Sequence, residues 1–141
     1  MVRASAEPTA VHAQSRPTAP GFRDPRTVLR AHGLWAKKRF GQNFLVDGNI
    51  LRLLLKEADL AADDVVLEVG TGTGGLTARI ARQAAAVVSF ELDAQLHQLA
   101  REELSDVANV TLLCQDVLKN KNRFRPEVMD QVRRHLDRVP G

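Results

Sequence analysis

Hydrophobic and polar positions along this chain follow two periods in turn, and the places where the period changes mark out its elements. Val65-Val66-Leu67-Glu68-Val69 is a short run of β-branched and apolar residues, the pattern of a buried strand. Leu76, Ile80 and Ala81 then recur at helical spacing. Val87 to Phe90 repeats the strand pattern, and so does Val110 to Leu113, with its strand read as far as Asp116. Upstream, Ile50, Leu53, Leu54 and Ala58 keep a helical period. Downstream, Val128, Met129, Val132 and Leu136 do the same behind Pro126, a residue suited to the first turn of a helix. Alternating strands and helices predict an α/β chain with a parallel, Rossmann-like sheet of about three strands.

The first strand runs into Gly70-Thr71-Gly72-Thr73-Gly74-Gly75 and then into a helix. Glycines at such a junction let the backbone turn tightly and approach a ligand. Gly70, Gly72 and Gly75 have the G-x-G-x-x-G spacing, and Glu91 follows about 20 residues later, where a ribose-binding acid belongs. By itself that spacing suits NAD. Glu68 shifts the reading towards S-adenosylmethionine (SAM). A carboxylate at the end of a buried strand costs several kcal/mol of desolvation unless something offsets it. It would repel a pyrophosphate on the turn, yet it suits the cationic methionyl end of SAM, directly or through water. Further acids close the next two strands, Glu91 and Asp116. Carboxyl ends of adjacent parallel strands line one crevice, so Glu91 is assigned to the ribose hydroxyls and Asp116 to the adenine amine. Singly, Asp93 or Asp116 reads better as a helix cap or a solvated loop acid; the joint pattern with the glycine turn points to a ligand.

The segment from Lys38 to Asp47, KRFGQNFLVD, taken with EVGTGTGGLT, FELD and the Gln115-Asp116 step, resembles the rRNA adenine N-methyltransferases. That superfamily holds the small-subunit rRNA adenine dimethyltransferases and the macrolide-resistance methylases of large-subunit rRNA. The likeness runs from Lys37 to Leu118, and the KRFGQNFL string followed by Asp looks more like the small-subunit branch. It implies a Rossmann-like class I SAM-dependent methyltransferase fold, with SAM as cofactor and adenine of small-subunit rRNA as substrate. By the same likeness Asn43, Leu45 and Gly70 contact the cofactor, Glu91 takes the ribose and Asp116 the adenine. Glu68 and Gly72 complete the expected cofactor set. The sequence also departs from the family, whose Asn-Leu-Pro-Tyr motif holds the target amine at the end of a fourth strand. That string does not occur here. An adenine amine is a poor nucleophile and must be positioned, so no catalytic residue is assigned. The chain reads as a cofactor-binding portion, truncated after about three strands and inactive alone. Two other readings are an NAD-binding oxidoreductase fragment and a non-catalytic RNA- or protein-binding module derived from a methyltransferase.

Composition adds less. Met1 to Asp24 is rich in Ala, Pro, Thr and Arg and lacks periodicity, so residues 1–34 read as a disordered tail with a short helix near Pro25 to His32, and 35–141 as the methyltransferase domain. Pro8, Pro17 and Pro20 argue against an amphipathic transit peptide. The net charge of +3 includes two basic clusters, Lys37-Lys38-Arg39 and Lys119, Lys121, Arg123 and Arg125, suited to salt-sensitive phosphate contacts with rRNA. Trp35, Phe40 and Phe44 are expected to pack the basic loop over the cofactor. Cys114, the single cysteine, is expected to be a buried, inert thiol, which fits a reducing, cytoplasmic setting. The four histidines show no ligand spacing, and no metal site or membrane segment is expected.

Overall fold

The computed structural model describes residues 23–35 and 48–140, together with the backbone of residues 2–5. Asn43, Leu45, Phe40 and Phe44 lie outside the described residues. A four-stranded sheet forms the centre. Its strands are β1 (Val2–Ser5), β2 (Asp64–Val69), β3 (Ala86–Phe90) and β4 (Val110–Leu113), in that spatial order. β2, β3 and β4 run parallel, with Val66 opposite Val87 and Val88 opposite Thr111, whereas β1 runs antiparallel to β2. The helices are α1 (Pro25–Ala31), α2 (Gly48–Ala58), α3 (Gly75–Gln83), α4 (Ala94–Glu103) and α5 (Pro126–Leu136), and a two-stranded ribbon, β5 (Leu118–Asn120) with β6 (Arg123–Phe124), precedes α5.

Alternation along the strands divides the core in two. Val66 and Val87 face one side, where Leu51 and Leu55 of α2 and Ala78, Ile80 and Ala81 of α3 cover them. Val65, Leu67, Val88 and Phe90 face the other side, against Val117 and against Val128 and Val132 of α5. A parallel strand covered on both faces has no polar side to show, which is why β2 and β3 read as continuous apolar runs. Helix α4 packs Leu96 and Leu99 on Val28 and Leu29 of α1. Asn109 pins the far end of α3 by donating from Nδ2 to the carbonyls of Ala81, 2.8 Å, and Ala84, 3.3 Å.

Four details differ from the expectations. Val2–Ser5 forms a strand on the edge of β2, inside a stretch read as tail; an exposed row of β2 amides and carbonyls is a ready template for such pairing. In α2 the buried residues are Leu51 and Leu55, while Ile50, Leu53 and Leu54 stay about half exposed, so the helix is rotated one position from the stripe read in the sequence. Trp35 is 75% exposed, where a packing residue was expected. Cys114 is exposed, because β4 ends at Leu113 and the thiol lies beyond the sheet.

Candidate functional site

The carboxyl ends of β2, β3 and β4 open onto one rim of the sheet. Leaving β2, the backbone crosses to the end of β3, where the amides of Gly70 and Thr71 both donate to the Phe90 carbonyl, at 2.7 and 3.2 Å. Gly70, Gly72 and Gly74 have φ of 89°, 57° and 85°, a left-handed conformation that a side chain would strain. Their surroundings differ. A Cβ on Gly70 would meet nothing within 4 Å, so the turn presents bare backbone to open space there, while a Cβ on Gly74 would come within 3.0 Å of the Leu104 side chain. Gly74, the cap of α3, is the glycine required for packing. The spacing rule had picked out Gly75, which lies within α3 at an ordinary φ.

Glu68 and Ser89 are register partners on the α3 face of the sheet. Glu68 is 3% exposed, and its Oε1 accepts from two hydroxyls: Thr77 Oγ1 of α3 at 2.5 Å and Ser89 Oγ of β3 at 2.6 Å. Thr71 Oγ1 lies 2.6 Å from Ser89 Oγ; since the Ser89 hydroxyl is committed to Glu68, Thr71 donates. This row of hydroxyls joins the turn, two strands and a helix. Glu68 Oε2 is buried with no hydrogen-bond partner among the described residues. Burial pushes the Glu68 carboxyl up to about 7, with the Ser89 and Thr77 hydroxyls pulling the other way.

Glu91 is held by backbone amides. Gly72 N donates to its Oε1 at 2.9 Å and Asp93 N to its Oε2 at 3.0 Å, so the carboxylate bridges the glycine turn and the end of β3. Each oxygen keeps a lone pair for a further donor. Asp93 is the N-cap of α4, accepting from Gln95 N at 2.9 Å and Leu96 N at 3.4 Å, a structural task. The His97 imidazole is held below its ordinary value by burial and by Arg101, against the pull of Glu91.

Asp116, in the loop after β4, is exposed; its Oδ1 accepts from Leu118 N at 3.0 Å. Val69 and Leu92, 48% and 55% exposed, add apolar surface immediately after Glu68 and Glu91. The rim thus gathers Gly70, Gly72, Glu68, Glu91 and Asp116, five of the seven residues expected to bind a cofactor. Thr71, Thr77 and Ser89 were not among them. One signal for Ser89 was available, a lone polar residue in the apolar run Val87 to Phe90, opposite another buried polar residue.

Such an arrangement suits a ligand with a cationic end and hydroxyl groups. Glu68 Oε2 is a buried acceptor without a donor, Glu91 is oriented to take hydroxyls, and Asp116 can accept from an amine. Gly70, with open space where a side chain would stand, lets that ligand lie on the backbone.

The sequence profile of the family described as ribosomal RNA adenine dimethylase matches residues 33–136. A protein of Pediococcus pentosaceus named Ribosomal RNA small subunit methyltransferase A is 43% identical over 112 residues, 79% of this chain and 36% of that protein. The chain thus spans about a third of the length of the curated relatives it matches. Among solved structures, the 23S rRNA methyltransferase ErmE superposes with a TM-score of 0.53 at 28% identity, over 70% of this chain and 44% of that one. A dimethyladenosine transferase from Plasmodium falciparum gives 0.52 at 25% identity, over 55% of this chain and 29% of that one.

Proposed function

Because this chain belongs to the ribosomal RNA adenine dimethylase family, we propose that it carries the SAM-binding machinery of an enzyme that methylates the exocyclic amine of adenine in small-subunit rRNA. The fold is that of the class I methyltransferases. The observation that carries the reading is the rim itself: an amide-held Glu91, a buried Glu68 with a free oxygen and an open glycine turn in one place.

In this reading Glu91 accepts from the ribose hydroxyls, Asp116 Oδ2 accepts from the adenine amine, the bare backbone at Gly70 lets the methionyl portion lie close, and Gly72 joins the set through its amide bond to Glu91. Glu68 faces the cationic end with its remaining oxygen while its other oxygen keeps the turn shut on Thr77 and Ser89. Asn43 and Leu45 join the set on the strength of the sequence resemblance. Val69 and Leu92 give the nucleoside apolar cover. SAM bound there would supply a methyl group on a sulfonium, an electrophile for the adenine amine. Glu68, Glu91 and Asp116 would hold the two ends of that ligand, and fixing the methyl donor in place is a contribution that orientation makes to the reaction of a poor nucleophile. A cytoplasmic enzyme goes with this reading. Among the described residues no helix is long and apolar enough to cross a membrane.

Calorimetric titration tests it. S-adenosylhomocysteine should bind with one site per chain, and NAD should not; NAD binding tighter than S-adenosylhomocysteine would overturn the cofactor assignment.

A further inference from the structure

The ribbon β5–β6 is the most strongly charged feature of the described surface. Between Leu118 and Arg125 it carries Lys119, Lys121, Arg123 and Arg125 and no acid, and all four side chains are exposed. Without these four cations the formal charge of the whole chain would fall from +3 to −1. Three cations elsewhere are paired with carboxylates: Arg26 with Asp24 at 2.7 Å, Arg133 with Asp130 at 3.3 Å, and Arg23 with Glu103. Among the described residues none of the four in the ribbon is paired with a carboxylate. Unpaired like charges this close repel one another, so keeping them on one ribbon costs stability unless an anion comes to them.

The ribbon is also well anchored. At its base the Arg125 amide donates to the Val117 carbonyl at 2.8 Å, and Val117 is buried against Phe90, Val128 and Val132. At its tip the Asn120 side chain accepts from Asn122 N at 3.0 Å, a local turn that needs no glycine. Leu118 stands opposite Phe124, both rather more than a third exposed. Its first residue follows Asp116 by two positions and is tied to it, so the cations rise from the rim that carries the cofactor site.

We propose that the ribbon, through Lys119, Lys121, Arg123 and Arg125, grips the phosphate backbone of the RNA that presents its base to this rim. The inference rests on the RNA-methylation reading above and adds to it the surface that holds the RNA. RNA fits better than an acidic protein or a lipid surface for two reasons on the page. An unpaired row of cations beside one aromatic, Phe124, matches a chain of phosphates with a stacking base. The row also stands where an adenine must arrive to meet a methyl donor held by Glu91 and Asp116. Phosphate contacts of this kind carry no sequence information; they set register and affinity.

The test is fluorescence anisotropy of the full 141-residue chain with a labelled RNA stem–loop, titrated at potassium chloride from about 50 to 200 mM. The variant Lys119→Gln/Lys121→Gln/Arg123→Gln/Arg125→Gln should bind at least about tenfold more weakly near 0.1 M salt. Its plot of log affinity against log salt should lose about 3 units of slope, since each of four phosphate contacts contributes about 0.7–0.9. Its circular dichroism spectrum and its S-adenosylhomocysteine affinity should match the parent's. The charge-keeping variant Lys119→Arg/Lys121→Arg/Arg123→Lys/Arg125→Lys should bind RNA as the parent does. Four results would overturn the proposal: no RNA binding by the parent chain at the lowest salt, an unchanged slope in the Gln variant, an equal loss on changing Arg133, Arg134 and Arg138 to Gln, or binding to phosphatidylserine vesicles and not to RNA. Loss of RNA binding in the Gln variant, in a chain that binds no S-adenosylhomocysteine, would uphold the ribbon and refute the cofactor reading.

Discussion

Glu68, near the end of β2, and Asp116, in the loop after β4, belong to the same rim of the sheet, yet their surroundings are opposite. Glu68 is sealed under α3, its Oε1 saturated by two hydroxyls and its Oε2 without a donor. Asp116 stands in solvent with a single backbone contact. An acid of the first kind changes the stability of the fold with pH, because its ionised form is poorly solvated, even when one of its oxygens is left for a ligand; an acid of the second kind can act on a ligand and leave the fold alone. Glu91 lies between the two, 8% exposed and gripped by two amides. The gradient from the inside of the turn to the rim separates what holds the site together from what it offers a ligand.

Titration of Glu68 should give the largest effect. Its carboxyl is raised from 4.5 to about 7 in the folded chain. Between those values the folded protein keeps a proton that the unfolded chain has released, so a rise in pH favours unfolding across that window. Below about 4.5 both states are protonated and above about 7 both are ionised, and the profile flattens at each end. Stability should fall by about 3 kcal/mol from the acid side to the neutral side. Glu68→Gln keeps the oxygen that accepts from Thr77 and Ser89 and cannot ionise, so urea unfolding of this variant should lose this fall between about pH 4.5 and 7 and show higher stability at pH 8 than the parent. A flat profile in the parent chain would erase the contrast with Asp116.

Glu91→Ala comes next. Removing a carboxylate that accepts from ligand hydroxyls should weaken S-adenosylhomocysteine binding by about 1.5–3 kcal/mol. The circular dichroism spectrum should be unchanged, because the carboxylate joins a turn and a strand end that also bond to each other through the Phe90 carbonyl. An unaltered affinity would put the ribose elsewhere.

Thr77→Val sharpens the comparison from the inside. It takes one of two donors from Glu68 Oε1, and its cost should be about 1.5 kcal/mol above pH 7, where the acceptor is charged, and less at pH 5, where it is neutral. The ligand affinity should move much less than it does in Glu91→Ala. A pH-independent loss would mean that Thr77 acts by packing alone.

How far these roles could be read in the sequence follows the same gradient. The strands β2 and β3 were legible because two covered faces force continuous apolar runs, and the glycine turn was legible because left-handed backbone leaves few choices. Glu68 could be recognised as costly, but the groups that meet the cost could not: Thr77 and Ser89 come together only through parallel register and the seating of α3. Which glycine packs against Leu104 was equally a matter of tertiary contact. Helix α2 misled because Ile50, Leu53 and Leu54 are as apolar as the buried Leu51 and Leu55, so composition could not choose the face. The ribbon β5–β6 reads in sequence only as a run of cations; that it is a paired strand element bolted to Val117 is visible only in the fold.

Asp116→Ala should have the smallest effect, and for that reason it tests the outer end of the gradient most closely. The carboxylate is exposed, and its one bond, to Leu118 N, is local to the start of the ribbon. A hydrogen bond to an adenine amine made in that setting replaces one to water, and its net worth is about 0.5–1 kcal/mol, or two- to fivefold in the dissociation constant of S-adenosylhomocysteine. The change should vanish when the ligand is the purine analogue without the 6-amino group, because the partner of Asp116 is then missing in parent and variant alike. A loss of equal size with both ligands would show that Asp116 serves the ribbon rather than the adenine. A loss as large as that of Glu91→Ala would show that Asp116 is enclosed once the ligand binds, and the gradient from sealed to open acid would then not carry over to the complex.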